Sequence, residues 1–140
     1  MRYETSCGFV VYRNVQGQRQ YLLIRATNGE YGFPKGHMEA GETELQTAVR
    51  ELKEETDLKV RFVDGFRREV EYLLPNKADT VKRVVYFLGE YRTGSIRCQE
   101  TEVSEALFVP METALALLSF ETTRKVLRDA DGYMNTCCTG

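Results

Sequence analysis

The chain lacks the features that mark a membrane protein, a secreted protein or a protein that binds nucleic acid through charge. No apolar run among its 140 residues approaches the roughly 20 residues that a helix needs to cross a bilayer. The net charge is −2, so no general basic field attracts nucleic acid. The N-terminal stretch MRYETSCGFVVYR carries an early acidic residue and lacks the apolar segment of a secretory signal. We therefore expect a cytoplasmic protein that binds neither a membrane nor a stable nucleic-acid partner.

Cysteine and histidine are also scarce. The four cysteines are Cys7, Cys98, Cys137 and Cys138, and His37 is the single histidine. Neighbouring cysteines make a poor disulfide, and the chain has no CxxC pair. A tetrahedral zinc site would need more nitrogen or sulfur ligands than this spacing offers. The sequence predicts reduced thiols, as is usual in the cytosol.

The length predicts one domain over residues 1–140, with a core of ordinary size. Apolar and β-branched patterns predict strands at 5–13, 20–27, 59–74, 81–91 and 106–110, and helices at 43–56, 111–119 and 120–132. Thr43 and Gln46 have the spacing of a capping box, Gly65 indicates a bulge, and Gly132 is expected to end the last helix before a loose tail. The order of these elements along the chain, with strands, a helix, more strands and then helices, is typical of an α+β fold with helices on the faces of a mixed sheet.

Acidic residues are concentrated between Gly36 and Leu58, at Glu39, Glu42, Glu44, Glu51, Glu54, Glu55 and Asp57. At about 100° per residue, Glu51, Glu54 and Glu55 fall in one arc of the helix. A separate arc holds the positions expected to be buried: Leu45, Ala48, Val49, Leu52 and Thr56. Clustered carboxylates raise each other's pKa unless a cation lies between them. Oxygen ligands suit Mg²⁺ or Mn²⁺, so this segment predicts a metal site.

Arg50 stands four residues before Glu54, and two interpretations of it are open. The pair is either an ordinary surface ion pair, worth under about 1 kcal/mol, or Arg50 fixes a metal-binding carboxylate in place.

The spacing of these residues resembles the Nudix box, G-x5-E-x7-R-E-U-x-E-E-x-G-U, in which U is aliphatic. Gly36 is followed after five residues by Glu42, and after seven more by Arg50 and the segment ending at Leu58. The one departure is Asp57, where the box has glycine. Glycine there serves the left-handed turn that closes the helix. Asp tolerates that conformation better than most residues, so we expect a small cost in stability.

The resemblance implies a Nudix fold, an αβα sandwich around a mixed sheet, and metal-dependent hydrolysis of a pyrophosphate linkage with Mg²⁺ or Mn²⁺. It implies that the metal ligands are Glu51, Glu54, Glu55 and the carbonyl of Gly36. Glu42 is expected to support them, through water or through Arg50. Divalent ions would neutralise the diphosphate and orient the attacking water.

Two further segments are similar to the asymmetric diadenosine tetraphosphate hydrolases within that family. These are PKGHMEAGE at 34–42 and GFRREVEYLLPNKADTVKRVVYFLGEY at 65–91. This likeness implies in-line attack by water that gives ATP and AMP. It implies that the substrate is bound by Lys35, His37, Tyr72, Lys77 and Tyr86. The lysines would contact phosphate and the tyrosines would stack a base, unless either tyrosine is simply part of the core. His37 would either contact phosphate or brace the loop through a hydrogen bond.

The residue that takes the proton from water is left open between two places. Glu55 is the first candidate. The second lies in the acidic loop before the strand at 106–110, where Glu102 best matches the subfamily and Glu100 and Glu105 are its rivals. Alternatively, the three loop glutamates are only solvated. Four basic residues near the expected groove are interpreted as solvated strand edges, with contacts to distal phosphates or to a partner as the alternative: Arg67, Arg68, Lys82 and Arg83.

Other functions stay open at this point. A Nudix enzyme for nucleoside triphosphates, RNA 5′ ends or diphosphoinositol polyphosphates is one alternative, and a non-catalytic nucleotide-binding regulator is another. The complete set of acids argues against the regulator. The partner is expected to be a small nucleotide, and the protein a monomer or a weak dimer.

Overall fold

A mixed seven-stranded sheet forms the centre of the computed structural model, which describes residues 2–97 and 103–137. Its two long central strands, β1 (Arg2–Val15) and β6 (Thr80–Thr93), run parallel, and all the other pairings are antiparallel. The remaining strands are β2 (Gln18–Ala26), β3 (Tyr31–Gly32), β4 (Lys35–His37), β5 (Lys59–Leu73) and β7 (Val103–Pro110). The main order is β3-β2-β1-β6-β5, while β4 pairs with β1 and β7 pairs with β2.

Three helices cover the two faces of this sheet. They are α1 (Glu44–Thr56), α2 (Met111–Leu117) and α3 (Glu121–Cys137). Because side chains alternate along a strand, β1 and β6 each supply both layers of the core. One layer packs on α1 and contains Cys7, Phe9, Val11, Val85, Phe87, Ala48 and Leu52. The other packs on α2 and α3 and contains Val10, Tyr12, Val84, Leu88, Ala114, Leu127 and Ala130. This confirms the predicted α+β sandwich.

Both ends of α1 follow local sequence signals. The Thr43 hydroxyl accepts from the Gln46 amide at 3.1 Å, and the Gln46 side chain accepts from the Thr43 amide at 2.9 Å, so the capping box is confirmed. At the other end Asp57 has φ 63 and ψ 22, the left-handed conformation, and its amide donates to the Lys53 carbonyl at 2.8 Å. The predicted buried face is wrong at Val49, which is exposed, while Thr47 is buried.

The last helix runs past its predicted stop. Gly132 lies inside α3, which continues to Cys137. A glycine within a helix costs about 1 kcal/mol. Burial outweighs that cost, because Val126, Leu127, Ala130 and Met134 repeat at helical spacing and are all buried in the core. The expectation of a stop at Gly132 is therefore wrong.

Other local features differ less from expectation. The stretch 28–37 contains the short strands β3 and β4 and is not all loop. The bulge predicted at Gly65 is confirmed, since the pairing of β5 with β6 shifts register between Val63 and Arg67. Cys7 is a free, buried thiol, whereas Cys98 and Cys138 lie outside the described residues. Among the described helices, none combines the length and apolar character that a membrane span requires.

Candidate active site

The acids of α1 are gathered around the guanidinium of Arg50. Its Nε donates to Glu42 at 2.6 Å, and its Nη1 donates to Glu51 at 2.9 Å and to Glu54 at 3.0 Å. Its Nη2 donates to the backbone carbonyl of His37 at 2.8 Å. These bonds, above all the one to Glu42, raise the pKa of Arg50. Arg50 is thus the cation within the acidic cluster, and it contacts far more than the single surface partner Glu54.

Glu42 joins the loop that precedes α1 to the helix itself. Its carboxylate accepts from Arg50, from the Glu39 amide at 2.9 Å and from the Thr47 hydroxyl at 2.9 Å. The Arg50 hydrogen bond is the main reason that the pKa of Glu42 is lowered to about 2. The contact expected between Glu42 and Arg50 is present, and its supporting role stays a prediction.

Gly36 lies directly against the carboxylate of Glu51. A Cβ atom built on Gly36 would be 2.0 Å from the Glu51 carboxyl carbon, so any side chain here would displace that carboxylate. Strand β4 brings Gly36 there because it pairs with β1, on which α1 packs. The glycine is therefore needed for the close approach of backbone and carboxylate.

The three predicted metal ligands on α1 differ in depth. Glu55 is buried, 6 % exposed, and accepts from the Lys35 amide at 3.2 Å, whereas Glu54 lies near the surface. Across residues 2–97 and 103–137, no three Asp, Glu, His or Cys side chains are arranged as a ready metal cage. Arg50 donates to both Glu51 and Glu54 and so lies between these two carboxylates. The donor atoms of these three glutamates are nevertheless all oxygen, and oxygen donors suit a hard divalent ion.

A cavity of about 620 Å³ opens beside Glu55. Lys35, Tyr72 and Tyr86 all line it, so the structure brings three of the five predicted substrate-binding residues together. Tyr72 is 44 % exposed. Tyr86 is 1 % exposed and packs edge-on against Phe33 with ring centroids 5.5 Å apart. Tyr72 therefore contributes an exposed ring to the cavity, and Tyr86 forms a buried part of its wall.

Sequence reasoning missed a second exposed aromatic ring in this cavity. Phe120 lies just before α3, is 51 % exposed and lines the same space as Tyr72. The only signal in the sequence was an aromatic residue at a helix boundary, which is too common to single out a site.

Lys82 is the other residue whose surroundings the sequence did not reveal. It is 6 % exposed, its Nζ donates to the Ser6 hydroxyl at 2.6 Å, and it lies 3.5 Å from Nδ1 of His37. Burial, and then the charge of Lys35, lower the pKa of Lys82 to about 8. The expectation of a solvated strand edge is wrong for Lys82, because β6 is a central strand with β1 and β5 on either side.

The three arginines grouped with Lys82 are different. Arg67 pairs with Glu44 at 2.9 Å, Arg83 pairs with Glu71 at 3.1 Å, and Arg68 pairs with Asp129 at 3.3 Å. All three are partly exposed and satisfied on the surface, away from the cavity wall.

His37 and Lys77 do not line the large cavity. His37 is next to Lys82, and burial together with the Lys82 charge lowers the pKa of its ring. Lys77 forms an ion pair with Glu4 at 2.5 Å. Their binding roles stay predictions.

The acidic residues near β7 do not identify the base. Glu100 and Glu102 lie outside the described residues. Glu105 is described; it is exposed on β7 and accepts from the Tyr31 hydroxyl at 3.2 Å. Glu55 therefore is the one candidate base with a known position in the cavity wall.

Comparisons with known proteins identify the family and the fold. The family model described as the NUDIX domain matches residues 4–130. A Caenorhabditis elegans protein named bis(5′-nucleosyl)-tetraphosphatase [asymmetrical] is 40 % identical over 131 residues, covering 92 % of the chain and 95 % of that protein. A Mus musculus protein of the same name is 29 % identical over 146 residues, covering 96 % of each. The crystal structure of a C. elegans Ap4A hydrolase binary complex superposes with a TM-score of 0.84 at 24 % identity, covering 95 % of the chain and 98 % of that structure, and shows the shared fold.

Proposed function

The chain belongs to the NUDIX domain family, and from that premise we propose that it cleaves diadenosine tetraphosphate asymmetrically into ATP and AMP. One observation carries the proposal: the buried acid Glu55 and the exposed ring of Tyr72 line the same cavity. A site for pyrophosphate chemistry and a platform for a nucleobase are therefore adjacent. The relatives named for this activity, at 29 % and 40 % identity, support the same substrate.

Nudix hydrolases generally use divalent metal ions, and Mg²⁺ or Mn²⁺ fits the oxygen donors here. Glu51, Glu54, Glu55 and the Gly36 backbone would hold it. The ion, when bound, lowers the pKa of water and neutralises phosphate charge. Arg50 holds two of these carboxylates in position and is itself anchored by Glu42 and the carbonyl of His37. We assign Arg50 and Glu42 as positioning residues.

The base of the substrate would stack on Tyr72, with Phe120 as the second ring of the cavity. Each base stacked on an aromatic ring contributes about 1–3 kcal/mol. Tyr86, being buried, supports this surface from behind. Lys35 and Lys82 provide positive charge for the polyphosphate, with His37 beside Lys82 and Lys77 further along.

Proton transfer from the attacking water is assigned to Glu55. Its position in the cavity wall and the Lys35 amide bonded to it support this choice. Glu102 stays the alternative that the subfamily resemblance favours. Comparing the loss of activity in Glu55→Gln and Glu102→Gln, with each variant's folding checked by circular dichroism, distinguishes the two.

A substrate panel with Mg²⁺ and with Mn²⁺ tests the proposed function. Diadenosine tetraphosphate should give ATP and AMP in equal amounts by chromatography. Diphosphoinositol polyphosphates should react far more slowly, because they carry no base for the aromatic rings that line the cavity. Nucleoside triphosphates and triphosphorylated RNA should also react more slowly, because they do not carry a nucleoside at each end of a tetraphosphate. Release of two ADP, or faster hydrolysis of another member of the panel, would contradict the assigned substrate.

Substitution of the acids tests the site itself. Glu54→Gln and Glu55→Gln should each lower kcat by a factor on the order of 10² to 10⁴, because a lost acid weakens both metal binding and water activation. Glu112→Gln, on the exposed side of α2, is the matched control and should keep full activity. Unchanged turnover in both site variants would overturn the metal assignment.

A non-catalytic nucleotide-binding protein is the second candidate. The observation in its favour is that Arg50, a side chain of the protein itself, already bridges Glu51 and Glu54. Such a protein would bind diadenosine tetraphosphate in EDTA and show no turnover with any metal.

A further inference from the structure

A second cavity, of about 410 Å³, lies where β1 and β6 begin. It is lined by Arg2, Tyr3, Glu4, Lys77, Ala78 and Thr80. Ligand sites in proteins commonly occupy about 300–1,000 Å³, so this volume suits a nucleoside-sized group. Neither the acids of α1 nor the rings of Tyr72 and Phe120 take part in it.

The face of the sheet that carries this cavity leads directly to the site of Lys82. In the β1–β6 pairing Arg2 lies opposite Thr80 and Glu4 opposite Lys82. In the β1–β4 pairing Ser6 lies opposite His37, and Gly8 opposite Lys35. Every second residue of a strand faces the same side, so these positions share one face.

This face spans the length expected of a long substrate. From Gly8 to Arg2 the strand extends about 20 Å at about 3.3 Å per residue. Lys35 lies in the wall of the large cavity at one end, and Lys77 lies in the second cavity at the other. The charges of Lys35, Lys77 and Glu4 all act on Lys82 between them. A polyphosphate that leaves the large cavity can follow this row of cations.

The groups in the second cavity fit a ribose next to a phosphate better than a phosphate alone. Arg2 has no ion pair with any residue in 2–97 or 103–137, so its charge is available. Lys77 adds a second charge, which is paired with Glu4 at 2.5 Å, and the Glu4 carboxylate repels a bare phosphate. A carboxylate only accepts hydrogen bonds, and it is the group that commonly binds ribose hydroxyls.

We propose that this cavity binds the second nucleoside of the substrate, the one that does not lie on Tyr72. Glu4 accepts from the ribose hydroxyls, and Arg2 and Lys77 contact the adjoining phosphate. The inference rests on the proposed function and deepens it, because it explains how one chain distinguishes a dinucleoside polyphosphate from a mononucleotide of equal phosphate length.

Two ligands that differ by one nucleoside test the proposal. Diadenosine tetraphosphate and adenosine 5′-tetraphosphate are titrated calorimetrically in EDTA into wild type, Arg2→Gln, Glu4→Gln and the control Arg92→Gln. Arg92 is exposed near the far end of β6 and pairs with Glu90. The ratio of the two Kd values in each protein isolates what the second nucleoside contributes.

We expect Arg2→Gln and Glu4→Gln each to weaken the binding of diadenosine tetraphosphate by about tenfold relative to the binding of adenosine tetraphosphate. The ratio of the two Kd values should be unchanged in Arg92→Gln. An unchanged ratio in both cavity variants, or no binding of the dinucleotide to wild type, overturns the inference. A shifted ratio in a protein that hydrolyses neither ligand overturns the proposed function and leaves this subsite standing.

Discussion

A single lysine illustrates how residues distant in sequence set the ionisation of one side chain. Lys82 is buried between the Ser6 hydroxyl and the His37 ring, and Lys35 lies close enough to repel it. Burial and repulsion both disfavour the charged form. Its partners reach it from β1 and β4, so no pattern within 81–91 reveals its burial.

The lowered pKa of Lys82 predicts a pH dependence of substrate binding. With a pKa of about 8, the side chain is charged below pH 8 and neutral well above it, so it loses its attraction for phosphate as pH rises. We expect kcat/KM for diadenosine tetraphosphate to fall between about pH 8 and 10. A stopped assay over pH 6 to 10.5 measures this.

Matched variants identify the group responsible. Lys82→Arg keeps its charge over the whole range and should lose the fall above pH 8, whereas Lys59→Arg, on exposed β5, should behave like wild type. An identical fall in Lys82→Arg would assign the titration to another group.

The acids and their glycine are the part of the site that the sequence could predict, since a short-range pattern fixes them. Glu51, Glu54 and Glu55 share a helix, and Gly36 has the spacing that brings it against Glu51. Phe120 could not be predicted in the same way. It reaches the cavity from a link between two helices, and only the packing of α3 on the sheet places it there.

At the scale of elements, α1 shows how far local rules extend. Thr43 and Gln46 start it as their spacing predicts, and Asp57 ends it in the left-handed turn where the family pattern has glycine. For α3 the local rule failed, because the packing of Met134 and Tyr133 continues the helix beyond Gly132. Local signals decide an element's end when few tertiary contacts oppose them.

Asp57→Gly should therefore stabilise the protein. A residue with a side chain pays about 1–2 kcal/mol in the left-handed conformation, part of which Asp avoids, and glycine does not incur that cost. We expect a gain of about 0.5–1 kcal/mol in urea unfolding, with kcat unchanged. Asp57→Ala, which keeps the Cβ atom and loses the polar group, should destabilise; a gain there too would contradict the role of backbone conformation.

At the scale of the whole molecule, binding of a divalent metal should increase the stability of the folded protein. A ligand that binds the folded state alone stabilises it, by about 2.7 kcal/mol at a hundred times its Kd. Mg²⁺ should therefore raise Tm by several degrees in wild type and hardly at all in Glu51→Gln. Calorimetric scans in MgCl₂ and in NaCl of equal ionic strength measure this, with Glu112→Gln as the control.

Equal shifts in wild type and Glu51→Gln would place Mg²⁺ somewhere other than α1. The shift also reports binding without any substrate, so it tests the metal site independently of turnover.

The parallel pairing of β1 with β6 has a consequence for the order in which the site is made. Residue 2 pairs with residue 80, and residue 12 with residue 90, while α1 and its acids lie between them in the chain. Pairings so distant in sequence form late and slowly. As the chain emerges during synthesis, the acids of α1 exist well before the strand that carries Lys82 and Tyr86. The cavity residues on β5 and β6 and at the start of α3 are therefore made after Glu55, and the cavity is incomplete until they are in place.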